Sequence, residues 1–219
     1  MVVILCGKSG SGKDAICKKL IESGYSPIIS TTSRPKRDGE VDGVDYNFVD
    51  KDTFIQFIEH DFLIEYRSYN TLVDNIPDTW YYGILKQEFD LSKKDYVVIL
   101  DIDGTREFKD YIERTNGSDY CKVFYIFASD DVRKLRAMNR GSFNETEWNR
   151  RLEADLVDFA VDRVDSVDAT IINNNGLLSD SVAAIKELVT QSSIDKAIKA
   201  VNKGEQLIGG YFHGIEEEY

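Results

Sequence analysis

Short, continuous apolar runs alternate along the chain with segments whose apolar residues recur every three or four positions. Val2–Cys6 is apolar throughout and reads as a buried strand. Residues 14–22 follow, with Ile16 and Leu20, then Cys17 and Ile21, at the i, i+4 spacing of a helical face. Ser26–Thr31 reads as a second short strand. Tyr96–Leu100 and Lys122–Phe127 are apolar almost throughout, as expected of central strands covered on both faces, and Ala169–Ile172 is another strand. Trp148, Leu152, Leu156 and Phe159 mark one helical stripe. Leu178, Val182, Ile185 and Val189 mark a second, and Ile194, Ala197, Ile198 and Val201 a third. This alternation predicts an α/β fold with a mostly parallel sheet flanked by helices.

Between residues 32 and 92 the rhythm changes. Gly39, Gly43, the aromatic stretches Tyr46–Val49 and Phe62–Tyr69, and a helix-like segment over 51–60 read as an α+β insertion into the parallel core. Asn70–Trp80, with Asp74, Asn75, Pro77 and Asp78, reads as a surface loop. The stretch 203–219 reads as peripheral.

Composition narrows the class without naming a chemistry. The 219 residues fit one domain, and 42% hydrophobic with 30% charged residues is ordinary for a soluble globular protein. No apolar run approaches the ~20 residues that span a bilayer, and Met1–Cys6 lacks the basic leader of a signal peptide. Cys6, Cys17 and Cys121 fit no metal spacing and read as core residues of a reducing compartment, so the expected location is the cytoplasm. A net charge of −12 argues against binding a nucleic-acid polymer.

The first strand runs at once into Gly7-Lys8-Ser9-Gly10-Ser11-Gly12-Lys13, and a helix opens there. This is the G-x-x-x-x-G-K pattern in its required strand–loop–helix context. Glycines admit positive φ and turn successive backbone N–H groups onto phosphate oxygens, the helix N-terminus adds positive potential, and Lys13 reaches the β- and γ-phosphates. The position after the lysine, usually Ser or Thr for Mg²⁺, is Asp14. Its carboxylate suits both a hard cation and the first turn of a helix.

A second cationic cluster, Arg34, Lys36 and Arg37, follows the second strand and is stiffened by Pro35. It suits a compact dianion such as a monophosphate, or simply a solvated basic loop. Downstream come Gly39, Glu40, Gly43, Asp45, Tyr46 and Phe48, then Phe62-Leu63-Ile64-Glu65, Tyr81-Tyr82-Gly83 and Leu100-Asp101-Ile102-Asp103. With the phosphate loop, and over residues 2 to about 190, this set resembles the guanylate kinase family.

The resemblance implies a P-loop core of 1–33, 86–135 and 152–190, an acceptor lobe at 34–85, a lid at 136–151 and a C-terminal extension at 191–219. It implies transfer of the γ-phosphoryl of Mg·ATP to GMP or dGMP. Gly7, Ser9, Gly10, Ser11, Gly12, Lys13, Asp14 and Asn173 would hold ATP. Ser30, Arg34, Arg37, Tyr46, Glu65, Tyr82, Gly83 and Asp103 would hold the acceptor. Asp14 and Asp101 would lie near Mg²⁺. Glu65 would accept from both N1–H and the 2-amino group of guanine, whereas adenine would leave that buried carboxylate unmatched. Without the family, Asp101 and Asp103 are carboxylates at the C-terminal end of a central strand, where ligands of open α/β sheets bind or where a strand is simply capped. Two departures fall in the acceptor lobe: Ile84 replaces a Ser or Thr, and the stretch from Glu65 to Tyr82 is longer than is usual.

Arg136 and Arg140, at i, i+4, and Arg151 beyond Gly141-Ser142-Phe143-Asn144, match the family's lid arginines in spacing. With Lys13 they would form the catalytic cations, gathering charge around the γ-phosphoryl and excluding water. Read alone, they equally describe a solvated helix face with Glu145, Glu147 and Glu153 as partners. The competing readings are a kinase of the same fold acting on another nucleoside monophosphate or a sugar phosphate, and a non-catalytic interaction domain. Oligomeric state is not legible.

Overall fold

β1 (Val2–Cys6) is buried along its whole length because it lies at the centre of a five-stranded sheet. The computed structural model describes all residues except 74–75, 118–119, 140–142, 161–166, 174–177 and 203–219, with the side chains of 72–73, 147 and 196–202 also outside it. The sheet is wholly parallel and ordered β2 (Ser26–Pro27), β7 (Tyr96–Ile99), β1, β8 (Cys121–Phe127), β9 (Ala169–Ile172). Alternate β1 residues enter two cores. Val2, Ile4 and Cys6 pack with Ile102, Phe108 and Ile112 of α3 (Ile102–Asn116). Val3 and Leu5 pack with Ile16 and Leu20 of α1 (Lys13–Glu22) and with Ile185 and Val189 of the last helix. A strand buried on both faces reads as an unbroken apolar run, which is why β1 and β8 stand out in the sequence.

The second sheet orders β4 (Asn47–Phe48), β3 (Thr31–Thr32), β6 (Ile76–Leu85) and β5 (Leu63–Val73). α2 (Lys51–Glu59) packs on β6 and is capped by Asp50, whose carboxylate accepts from Thr53 N–H at 2.7 Å. The expected single strand Ser26–Thr31 is two strands: Ser26–Pro27 joins the parallel sheet and Thr31–Thr32 pairs antiparallel with Tyr82–Gly83. Asn70–Trp80 is not a loop. β5 and β6 pair from Leu63↔Leu85 to Val73↔Ile76, so the extra residues lengthen a hairpin. Pro77 is compatible with this because β6 pairs with β3 only at Tyr82–Gly83, leaving the distal hairpin one neighbour.

α4 (Asp130–Asn139) and α5 (Glu145–Asp158) fall within and beside the stretch read as a lid. On α5 the stripe holds at Trp148, which is buried, but Leu156 is exposed. The last two stripes lie on one continuous helix, α6 (Leu178–Asn202). Among the described residues, no helix is long and apolar enough to cross a membrane.

Candidate active site

The phosphate loop spans the end of β1 and the start of α1. Gly7, Gly10 and Gly12 all have positive φ, at 146°, 79° and 100°. At Gly12 a Cβ would lie 2.4 Å from Asn173 Nδ2, and at Gly7 2.4 Å from the Ile126 carbonyl, so both positions exclude a side chain. Lys13 Nζ donates to the Gly7 carbonyl at 2.6 Å and to that of Lys8 at 3.1 Å, spanning its own loop. Burial pulls its pKa below the ordinary lysine range, opposed by Asp14 and Asp155. Ser11 Oγ is buried without a hydrogen-bond partner, a site of unspent bonding capacity inside the loop.

The loop is gripped from outside. Arg133 Nε donates to the Ser9 carbonyl at 2.7 Å, and Ser9 N–H donates to both Asp155 oxygens at 3.2 Å. Arg133 also donates to Asp155 directly and to Asp130 at 2.6 Å, and lies over the Trp148 ring at 5.5 Å. Arg136 Nη1 donates to the Gly10 and Ser11 carbonyls at 3.3 and 3.0 Å, and its Nη2 to the Asn173 carbonyl at 2.7 Å. Asn173 Nδ2 donates to the Ser11 carbonyl at 2.8 Å. Arg151 lies exposed on α5, and Arg140 falls outside the described residues.

Just beyond β3, Arg34 is buried and forks onto Glu40, with Nη2 to Oε1 at 2.8 Å and Nη1 to Oε2 at 3.0 Å. Its guanidinium sits 5.3 Å from the Tyr46 ring centroid and 5.6 Å from that of Phe48. Arg37 is exposed, its backbone N–H also held by Glu40 at 2.8 Å. Tyr46 meets Tyr82 edge-on at 6.0 Å, and Tyr82 meets Tyr69 at 5.6 Å. Ser30 is half-buried, its carbonyl accepting from Asn47 N–H at 2.9 Å.

Glu65 is buried on β5, directly across from Ile84. Burial, reinforced by Asp101 and opposed by Arg67, pushes its pKa up to about 8. A Cβ on Gly104 would lie 2.8 Å from Glu65 Oε2, and one on Gly83 2.6 Å from the Glu65 carbonyl, so two glycines frame this residue. Glu65, Arg67 and Tyr69 share one strand face at period two. That face meets the start of α3: Tyr69 donates to Asp101 at 3.0 Å, while Arg67 lies 3.5 Å from Asp101 and 3.1 Å from Glu107. Asp101 caps α3, accepting from Gly104 N–H at 2.7 Å, and Asp103 lies 3.8 Å from Arg106.

Among the described residues, no group of three or more His, Cys, Asp or Glu forms a metal cage. Asp14 is exposed in the first turn of α1, next to Lys13. With the orphaned Ser11 hydroxyl, that donor set fits Mg²⁺ carried in on phosphates rather than a cation held by protein alone. Arg133, Asp155, Arg67 and Tyr69 were not singled out from sequence. The spacing of Arg133 three residues before Arg136, and of Arg67 and Tyr69 at period two from Glu65, was the available signal.

A family model described as Guanylate kinase matches residues 1–192. Guanylate kinase of Helicobacter hepaticus is 30% identical over 210 residues, covering 92% of this chain and 97% of its own. Guanylate kinase 2, chloroplastic/mitochondrial, of Oryza sativa subsp. japonica is 30% identical over 207 residues, covering 92% and 68%. The crystal structure of guanylate kinase from Anaplasma phagocytophilum superposes with a TM-score of 0.59 at 18% identity, over 87% of this chain and 85% of that one, and so shares the fold.

Proposed function

The chain belongs to the guanylate kinase family, and we propose on that premise that it moves the γ-phosphoryl of ATP to GMP or dGMP, giving ADP and GDP or dGDP. The observation that carries the choice of acceptor is the buried carboxylate of Glu65 on the sheet whose strand β3 leads into Arg34. A carboxylate kept from water favours a base edge that donates twice, as the N1–H and 2-amino group of guanine do.

An oxygen of the acceptor phosphate attacks the γ-phosphorus in line as the bond to the β-bridging oxygen breaks, so neither a general base nor a covalent enzyme intermediate is required. Lys13 would exchange its two carbonyl partners for phosphate oxygens. Arg34 and Arg37 would hold the acceptor phosphate, beside the Tyr46–Tyr82 pair. Arg140 and Arg151, and Arg136 once it gave up the loop carbonyls it now holds, would spread the charge of the transferring group and exclude water. Mg²⁺ bound on ATP would offset charge on the β- and γ-oxygens, with Asp14 as the carboxylate within reach of that end of the loop. Residues 34–85 would act as the acceptor lobe and 136–151 as the lid. The cytoplasm suits a chain whose three cysteines are free, two of them buried.

Ile84 favours a second reading. It is fully buried beside Glu65 and offers no hydroxyl there, which would suit a differently decorated acceptor. One assay decides: ADP formation from Mg·ATP with GMP, dGMP, AMP, dAMP, CMP, UMP and dTMP. Turnover is expected with GMP or dGMP alone, falling about 10²-fold or more in Lys13→Ala. Strong turnover with another acceptor would establish the second reading. No turnover with any would overturn the guanylate reading and point to a sugar-phosphate acceptor or an interaction domain.

A further inference from the structure

Three successive carbonyls of the phosphate loop are held from behind by side chains: Ser9 by Arg133, Gly10 by Arg136, and Ser11 by Arg136 and Asn173. In a planar trans peptide the N–H of the following residue points opposite to the carbonyl. Fixing these carbonyls outward therefore turns the N–H groups of Gly10, Ser11 and Gly12 the other way. Ser11 N–H closes a turn on the Lys8 carbonyl at 3.2 Å, which leaves those of Gly10 and Gly12 to face a phosphate. Gly10 and Gly12 both have positive φ, so the loop's own backbone resists few alternative orientations of these peptides.

We infer that Arg133 and Asp155 are positioning residues for ATP binding: they clamp the two ends of Ser9 and thereby set the direction of the Gly10 N–H. Arg133 is fully buried, Asp155 nearly so, and the two contact each other directly. The pair draws one residue from α4 and one from α5 onto a single residue of the loop. A buried ion pair contributes little to stability compared with well-packed apolar residues of similar size, so its retention beneath a phosphate loop calls for another purpose. The bonds to Ser9 supply one. They need both a donor to its carbonyl and an acceptor for its N–H, which apolar residues cannot provide.

This inference rests on the assignment of the loop to ATP, and the test separates the two. Mg·ATP and GMP binding are measured by calorimetry, and unfolding by urea, in the wild type, Arg133→Met and the double variant Arg133→Met/Asp155→Leu. Arg133→Met strands a buried carboxylate and is expected to be less stable, while the double variant should recover most of that stability. Mg·ATP binding is expected to stay weakened about tenfold or more in both, the worth of a charged hydrogen bond, with GMP binding within about twofold of wild type. A double variant that regains wild-type affinity for Mg·ATP along with its stability would overturn the inference and leave a packing role. Equal loss of GMP and ATP binding would overturn it as well. A wild type that binds no Mg·ATP would overturn it together with the assignment of the loop.

Discussion

Glu65, the residue proposed to choose the acceptor, is buried, and that burial has a measurable signature. Its pKa rises from 4.5 to about 8, so between those values the folded chain holds a proton that the unfolded chain has released. The stability this confers is complete below pH 4.5 and lost as pH rises through 8. Glu65→Gln is therefore expected to be more stable than wild type at pH 8.5, by a few kcal/mol at most on the order of the linkage involved, with the gap closing towards pH 5. Urea titrations at both pH values check this, and a wild type that is the more stable at pH 8.5 would contradict it. Guanine needs the ionised form, so GMP binding at pH 7 should release protons, seen as a buffer-dependent heat that Glu65→Gln abolishes. Glu65 was singled out by the resemblance, in which its distance from Tyr46 is one member, and its burial is what the structure adds. Arg133 and Asp155 were not: a charged residue on a helix reads as solvent-facing until the partner that buries it is known.

At the scale of elements, the strands with both faces covered were legible and the hairpin was not. Val2–Cys6, apolar at every position, and Cys121–Phe127, apolar at all but Lys122, announce themselves because both faces of these strands are covered. Asn70–Trp80 carries turn formers, yet Thr71 meets Asp78, Leu72 meets Pro77 and Val73 meets Ile76, pairings that only the opposite strand can dictate. The distal hairpin makes one described side-chain tie to α2, the ion pair Lys51–Asp78 at 2.7 Å, which is exposed and worth under about 1 kcal/mol. Replacing residues 70–79 with Asn-Gly, so that Tyr69 and Trp80 close a two-residue turn, is expected to leave GMP affinity within about threefold and the unfolding midpoint nearly unchanged. Loss of GMP binding in that variant would show that the distal half belongs to the site. α6 was likewise misread in part: its apolar stripes drift around one long helix, because Ile185 and Val189 meet the core whereas Ile194 is exposed.

At the scale of the whole molecule, the loop proposed to hold ATP follows β1 of the parallel sheet, whereas Glu65, Tyr82 and Gly83 of the proposed acceptor site lie on the second sheet. Two ligands that bind the folded chain without excluding each other add their stabilisation. Mg·ATP and GMP, each at a hundred times its dissociation constant, should therefore each stabilise the chain by about 2.7 kcal/mol, and together by nearly the sum. Scanning calorimetry with one ligand and then both checks this; a combined effect no larger than either alone would mean that the ligands compete. The period-two face of β5 has a consequence for how such a chain can drift over generations. Length changes at the hairpin tip leave Glu65, Arg67 and Tyr69 against α3. A single codon gained or lost between Glu65 and Tyr69 would swing the tyrosine to the opposite side of the sheet and strip Asp101 of that donor. The same ribbon thus holds a freely variable half and a quantised half, and the acceptor preference proposed for Glu65 would be inherited through the quantised one.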